Sequence, residues 1–199
     1  MDILKERAEY EIEVKKSRFL AIACPVTELS AIKDLVHQTR LLHPQANHVV
    51  HAAVLGPKGD LYSFSDDHEP KNTAGRPALE VLKGSSVTNI LVMVVRYFGG
   101  TLLGTGGLVK AYGDSVKEVL KHLKTEPLIE KRSFRLTIPY NLYDVVKILL
   151  NDTQTTIDSE DFATEVTISG ALPSENTEVL ERRIIELSKG STQPCFIDE

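Results

Sequence analysis

The sequence predicts an α+β protein built as two domains, and three observations carry that prediction. Along the chain the apolar residues change between the two-residue period of strands and the three-to-four-residue step of helices. From Ser133 that pattern starts again, in the order strand, helix, strand, strand, helix, strand. The charge also reverses. Residues 1–132 hold 18 Lys/Arg against 16 Asp/Glu, a balance of +2, and all six histidines, whereas residues 133–199 hold 5 against 12, a balance of −7. The junction falls at Glu126 to Arg132, which gives domains at 1–130 and 131–199.

In the first domain, Tyr10 to Val14 and Arg18 to Ala23 form two strands around a Lys15-Lys16-Ser17 turn. Thr27 caps a helix whose Leu29, Ile32, Leu35 and Val36 face inward, and His43-Pro44 ends it because the residue before proline avoids the helical region. A hairpin follows, Asn47 to Leu55 and Leu61 to Phe64, turning at Gly56-Pro57-Lys58-Gly59-Asp60. A short helix starts near Pro77, carries Leu79 and Leu82, and stops at Gly84. Ile90 to Val95 is apolar throughout and reads as a strand covered on both faces. Beyond it, Leu108, Tyr112, Val116, Val119, Leu120 and Leu123 make the inward stripe of an amphipathic helix.

In the second domain, Phe134, Leu136 and Ile138 alternate as a strand, and Asn141 caps a helix bearing Leu142, Val145, Val146 and Leu149. Strands near Thr155 to Ser159 and Glu165 to Ser169 follow, then a helix carrying Leu180, Ile184 and Leu187 up to Gly190, and a last strand at Gln193 to Ile197. The order βαββαβ is that of a ferredoxin-like plait.

The bulk properties exclude several classes. No window approaches the roughly 18 uncharged apolar residues of a membrane helix, and the charged start MDILKERAEYEIEVKK is no secretory signal, so a cytoplasmic protein is expected. Cys24 and Cys195 are too few and too far apart for a disulfide framework or thiolate metal site. Net charge −5 argues against binding nucleic acid by bulk electrostatics, so a polyanion would have to meet the first domain.

Function concentrates in RYFGGTLLGTGGLVKAY, Arg96 to Tyr112. Gly99, Gly100, Gly104, Gly106 and Gly107 lie between the buried strand and the following helix, where bare backbone permits positive φ or close approach of another surface. A helix N-terminus there offers free N–H groups and partial positive charge to an anion. The dinucleotide fingerprint fails at Val109, and no Gly-Lys-Ser/Thr triplet exists for a Walker loop.

Upstream, SFSDDHEPKNTAGRP places Asp66, Asp67 and Glu69 within four positions. They can brace the loop, hold a hard cation or serve as acid and base, although the spacing is not that of a calcium loop. Arg96 ends an otherwise apolar strand, so its guanidinium needs a partner, and those three acids are the nearest candidates. His43, His48, His51 and His68 suggest zinc only until geometry is applied. His48 and His51 sit three apart on a strand and project to opposite faces, so no metal site is expected, although His48 alone remains a candidate site residue.

These motifs resemble the YigZ/IMPACT family over almost the whole chain: SRFLA at Ser17 to Ala21, Ala46-Asn47-His48, the acid loop SDDxEPxxTAGxP and RYFGGxxLGxGGLxxAY. Family members usually carry SDDGEPxGTAG, and here His68 and Asn72 stand where those glycines would be. The resemblance implies an N-terminal domain similar to the second domain of ribosomal protein S5 and a C-terminal plait similar to the last domain of elongation factor G. It also implies a link to translational regulation, with RNA, the ribosome or a protein of the translation machinery as partner, and no catalytic mechanism.

The expected function is therefore a translation-associated protein that binds RNA or the ribosome in a cleft between the acid loop and the glycine loop, with no cofactor. The candidate binding residues are His48, Asp66, Asp67, Glu69, Thr73, Gly75, Arg96, Tyr97, Gly99, Gly100, Gly104, Gly106, Gly107 and Lys110. Arg96 would supply a fork to phosphate and Tyr97 a stacking face. The alternatives are a metal-assisted phosphoester hydrolase using Asp66, Asp67 and the glycine loop, and a protein-interaction module acting through the acidic plait.

Overall fold

Strand alternation builds the first unit. The computed structural model describes residues 1–197 and separates into Met1–Leu128 and a second unit from Ile129 onward. In the first, β2 (Ala8–Val14), β3 (Ser17–Pro25), β4 (His48–Leu55), β5 (Leu61–Ser65) and β7 (Ile90–Tyr97) form an antiparallel sheet in the order β2-β3-β7-β4-β5. One face carries α2 (Gly75–Lys83) and α3 (Gly104–Leu120), whose Leu79, Leu82, Leu108, Tyr112, Val116 and Val119 pack on Phe19, Val50, Ala52, Ile90, Val92 and Val94. The other face carries α1 (Leu29–Leu42), whose Ile32, Leu35 and Val36 meet Val49, Ala53, Leu91, Met93 and Val95. Because β7 lies at the centre between two covered faces, its apolar run needs no polar alternation.

Local capping departs from expectation. Thr27 is not the N-cap of α1. Glu28 holds that position without a side-chain cap, and Leu29 is exposed. The helix does end at His43, before Pro44. α2 begins at Gly75, ahead of Pro77, because a distant carboxylate caps it, as described below. The Lys15-Lys16 turn closes a two-residue hairpin with φ of 48° and 68°, the positive-φ pair of a type I′ turn that fits the twist of the flanking strands. Three short strands escaped the pattern: β1 (Asp2–Leu4), β6 (Val87–Thr88) and β8 (Thr125–Pro127) form a second sheet in the order β6-β1-β8. Two or three residues are too few to display a period.

The second unit is the four-stranded antiparallel plait. β9 (Lys131–Ile138), α4 (Tyr143–Asp152), β10 (Thr156–Phe162), β11 (Val166–Pro173), α5 (Thr177–Leu187) and β12 (Cys195–Ile197) give the sheet order β10-β11-β9-β12. Its core joins Phe134, Leu136, Ile138, Val166 and Ile168 to Val146, Leu149, Leu180 and Ile184. Asn141 is not a helix cap. It lies in a 3-10 turn, Tyr140–Leu142, that precedes α4. β10 extends beyond the expected span, and its register shifts between Ile157 and Ser159. A bulge there breaks the two-residue period, which is why this edge strand reads weakly.

Candidate functional site

β7 aims Arg96 at the α2/α3 face of the sheet, one position beyond the apolar run. Its cross-strand neighbours are Phe19 on β3, whose ring lies 5.5 Å from the guanidinium, and His48 on β4. The acid loop supplies the counter-charge. Asp67 and His68 have φ of 43° and 68°, and the Glu69 amide bonds the Asp66 carbonyl at 2.9 Å, which closes a type I′ turn and drives Glu69 inward. Glu69 Oε1 accepts a hydrogen bond from Arg96 Nη1 at 2.5 Å and another from the Tyr112 hydroxyl of α3 at 2.7 Å, and His48 Nε2 stands 3.8 Å away. The Glu69 side chain is 3% exposed and that of Arg96 7%. Burial, reinforced by the adjacent Glu69 charge, pushes the Tyr112 phenol far above its ordinary pKa, so it remains an O–H donor.

The other two acids are braces. Asp66 accepts from the backbone amides of Asn72 (2.7 Å), Ala74 (3.1 Å) and Gly75 (2.8 Å), capping α2 from outside the helix. Asp67 accepts from the Val49 amide at 2.6 Å and from Arg40 of α1, while its own carbonyl accepts from His48 Nδ1 at 2.8 Å. The two carboxylates thus serve different elements and do not converge on a shared cation position. Among the described residues, no three of His, Cys, Asp and Glu are grouped to hold a metal ion. His48 and His51 do face opposite sides. His51 Nε2 meets Ser63 at 3.1 Å toward α1, where burial lowers its pKa.

A cavity of about 520 Å³ opens between the acid loop and the glycine loop. His48, Glu69 and Arg96 line it together with Asn47, Pro70, Phe98, Leu102, Leu103, Gly104, Thr105 and Leu108. The first turn of α3 therefore forms part of its wall, and that turn carries neither an acidic residue nor a side-chain cap. Gly104 enters the helix at φ +73°, a conformation that favours glycine. Gly99 has a different task. A Cβ there would lie 2.0 Å from the Lys16 carbonyl, so the exposed Lys15-Lys16 turn is laid directly against the glycine loop, and Ser17 Oγ accepts the Gly99 amide at 3.1 Å.

Of the expected residues, then, His48, Glu69, Arg96 and Gly104 line the cavity. Asp66, Asp67, Thr73, Gly75, Gly99, Gly100, Gly106 and Gly107 are not in its lining, and Thr73 caps the turn after Pro70 through its hydroxyl. Lys110 is corrected to another surface. It pairs with Asp114 at 2.7 Å and lines a separate depression with Arg76 and Lys117. Tyr97 is corrected too, because strand alternation sends it to the α1 face, where its hydroxyl meets His43 Nδ1 at 2.6 Å and Arg18 covers its ring at 4.6 Å. The same alternation brings Phe98, two positions from Arg96, to the cavity with 45% of its surface exposed. That parity was readable in the sequence. The contributions of Asn47, Pro70 and Thr105 depend on loop paths and left no periodic signal.

Comparison with known proteins covers both units. Residues 15–120 match the model of the Impact N-terminal domain, and residues 136–191 match a domain of unknown function, DUF1949. The chain is 38% identical over 189 residues to the IMPACT family member YigZ of Escherichia coli (strain K12), covering 94% of this chain and 93% of that protein. The chain belongs to the IMPACT family. The IMPACT family member YvyE of Bacillus subtilis (strain 168) is 30% identical over 192 residues, covering 95% of this chain and 87% of YvyE. A crystal structure described as that of a hypothetical protein superposes on the chain with a TM-score of 0.73 at 36% identity, covering all of this chain and 97% of the other. The α+β, two-domain architecture of this IMPACT-family chain therefore agrees with its sequence relatives and its structural neighbour.

Proposed function

We propose that this IMPACT-family protein is a translation-associated regulator that binds single-stranded RNA, free or on the ribosome, through the cavity between the acid loop and the glycine loop. The observation that carries the reading is the meeting of three recognition elements at one cavity: the open first turn of α3, the Arg96 guanidinium and the exposed ring of Phe98. Helix N-termini and arginine forks suit phosphate, and an exposed aromatic face stacks on any base. The turn of exposed Lys15 and Lys16 lies against Gly99 and adds positive charge beside the glycine loop for a flanking backbone. Membership of the family is consistent with the translational role. The metal-assisted hydrolase falls behind, because the carboxylates of Asp66 and Asp67 are occupied by backbone amides and Arg40.

Co-sedimentation with ribosomal subunits and titration of a short oligouridylate, each at two salt concentrations, test the reading. Binding weakens steeply with salt, and the Lys15→Ala/Lys16→Ala protein loses about one unit of salt slope per phosphate contact removed. Folded protein that binds neither probe at low salt refutes it. A second reading is favoured by a groove on the acidic plait, where Val145, Ile148 and Leu187 remain exposed between α4 and α5. A protein of the translation machinery docking there would be released by Ile148→Asp and unaffected by changes at Phe98.

A further inference from the structure

A sheet edge is a row of unpaired N–H and C=O groups, and proteins guard such rows with charges, bulges or brevity. Most edges of this chain are guarded in those ways. β2 alternates exposed Glu9, Glu11 and Glu13 along its length, whereas β10 carries Asp158, Glu160 and Asp161 together with its register shift. β12 has three residues, and β6 and β8, the outer strands of the small sheet, have two and three. Among the described residues β5 is the exception. Its sequence, Leu61-Tyr62-Ser63-Phe64-Ser65, holds no charge and no proline, and all 5 residues pair with β4 in unbroken register. Leu61, Tyr62 and Phe64 are 50%, 44% and 45% exposed, so the edge is apolar as well as open.

We infer that β5 is a docking edge for a second copy of this chain, which adds its own β5 antiparallel about a twofold axis through Ser63 and joins the two five-stranded sheets into one. Strand alternation makes LYSFS its own complement about that residue. Tyr62 and Phe64 lie opposite Val54 and Ala52 of β4, which face the α2/α3 side, so both aromatic rings project to one face. An axis normal to the sheet at Ser63 sets Tyr62 of each copy directly opposite Phe64 of the other, giving two aromatic cross-strand pairs, and it pairs every residue of the strand. An axis at Tyr62 or Phe64 pairs fewer residues, and one placed between residues opposes side chains of different faces. A foreign strand would satisfy the same backbone groups, but the second copy also brings the matching aromatics. The contact is isologous and therefore closes at two copies. A pair of strands this short buries less than the roughly 1,200 Å² at the lower limit of stable interfaces, so the dimer forms at high concentration and dissociates on dilution. β5 supplies no residue to the cavity between the acid loop and the glycine loop, which makes dimerisation and binding at that cavity separate properties.

Sedimentation equilibrium of the full chain, from about 10 µM to about 1 mM, reads the association. The unaltered protein passes from monomer to dimer mass across that range. Ser63→Lys and Ser63→Glu each set like charges face to face on the axis, and each protein stays monomeric throughout. Mixing the two restores a dimer, because lysine then opposes glutamate, and that recovery also shows both variants to be folded at this edge. Ser63→Cys gives a second measure in a Cys195→Ser background, which removes the exposed thiol. Its thiols meet on the axis and link the two copies on oxidation, whereas the background protein alone gives no linked dimer. An unaltered chain that stays monomeric at every concentration overturns the inference, whether or not a foreign extended peptide binds the edge. A Ser63→Lys protein that still dimerises overturns it too, since the interface then lies elsewhere. Oxidised Ser63→Cys protein that remains unlinked where the unaltered chain is dimeric, or a mixture of folded Ser63→Lys and Ser63→Glu proteins that recovers no dimer, overturns the pairing about Ser63.

Discussion

His68 and Asn72 stand where family members usually carry glycine, and both adopt positive φ, at 68° and 62°. The backbone of the acid loop is therefore kept in its left-handed turns, and the side chains are carried at a conformational cost. Asn tolerates that region better than His, so the larger gain lies at position 68. His68→Gly, at an exposed position, should raise stability by about 1 kcal/mol, measured as a shift in the denaturant midpoint at constant slope. Glu69 and Arg96 give the opposite case. Arg96→Met leaves a buried carboxylate without its cation and should cost on the order of 3 kcal/mol, whereas adding Glu69→Gln should recover much of that loss. Equal stability of the single and double variants would show that the ion pair contributes nothing.

At the scale of elements, α3 separates the structural from the recognition role of its glycines. Gly104 needs its positive φ, but Gly106 is an ordinary helical residue with open space where a Cβ would point. Gly106→Ala should accordingly stabilise the protein by about 1 kcal/mol through helix propensity. The sequence pattern alone suggests a cost there, because clustered glycine reads as strained backbone. α2 shows the converse. Its N-terminus has no local cap and relies on Asp66, so Asp66→Ala should cost about 1–2 kcal/mol and give early hydrogen exchange at Ala74 and Gly75. Exchange at these amides that matches the unaltered chain would refute this.

For the whole molecule, β8 sets where the chain can be cut. Thr125–Pro127 pairs with β1, and the Leu128 amide bonds the Met1 carbonyl at 2.9 Å. A fragment ending at residue 125 would strip that strand from its sheet. A fragment of residues 1–128 is expected to melt cooperatively on its own, checked by calorimetry, because both of its hydrophobic cores are built within it. A soluble 1–128 fragment without a cooperative transition would show that it depends on the plait.

The sequence by itself determined the α+β class, the order βαββαβ of the plait, the doubly covered strand β7 and the need of Arg96 for an acid, because each follows from periodicity or from the cost of burying an unpaired charge. The long glycine and acid motifs also carried the family resemblance. Only the tertiary structure decided which acid pairs with Arg96, since a turn with two positive-φ residues sends Asp66, Asp67 and Glu69 in different directions, to a helix end, a neighbouring strand and the core. It likewise decided that Thr105 lines the cavity while Lys110 lies on another surface, paired with Asp114. Such placements depend on how distant segments cross the sheet, and local spacing carries no record of that crossing.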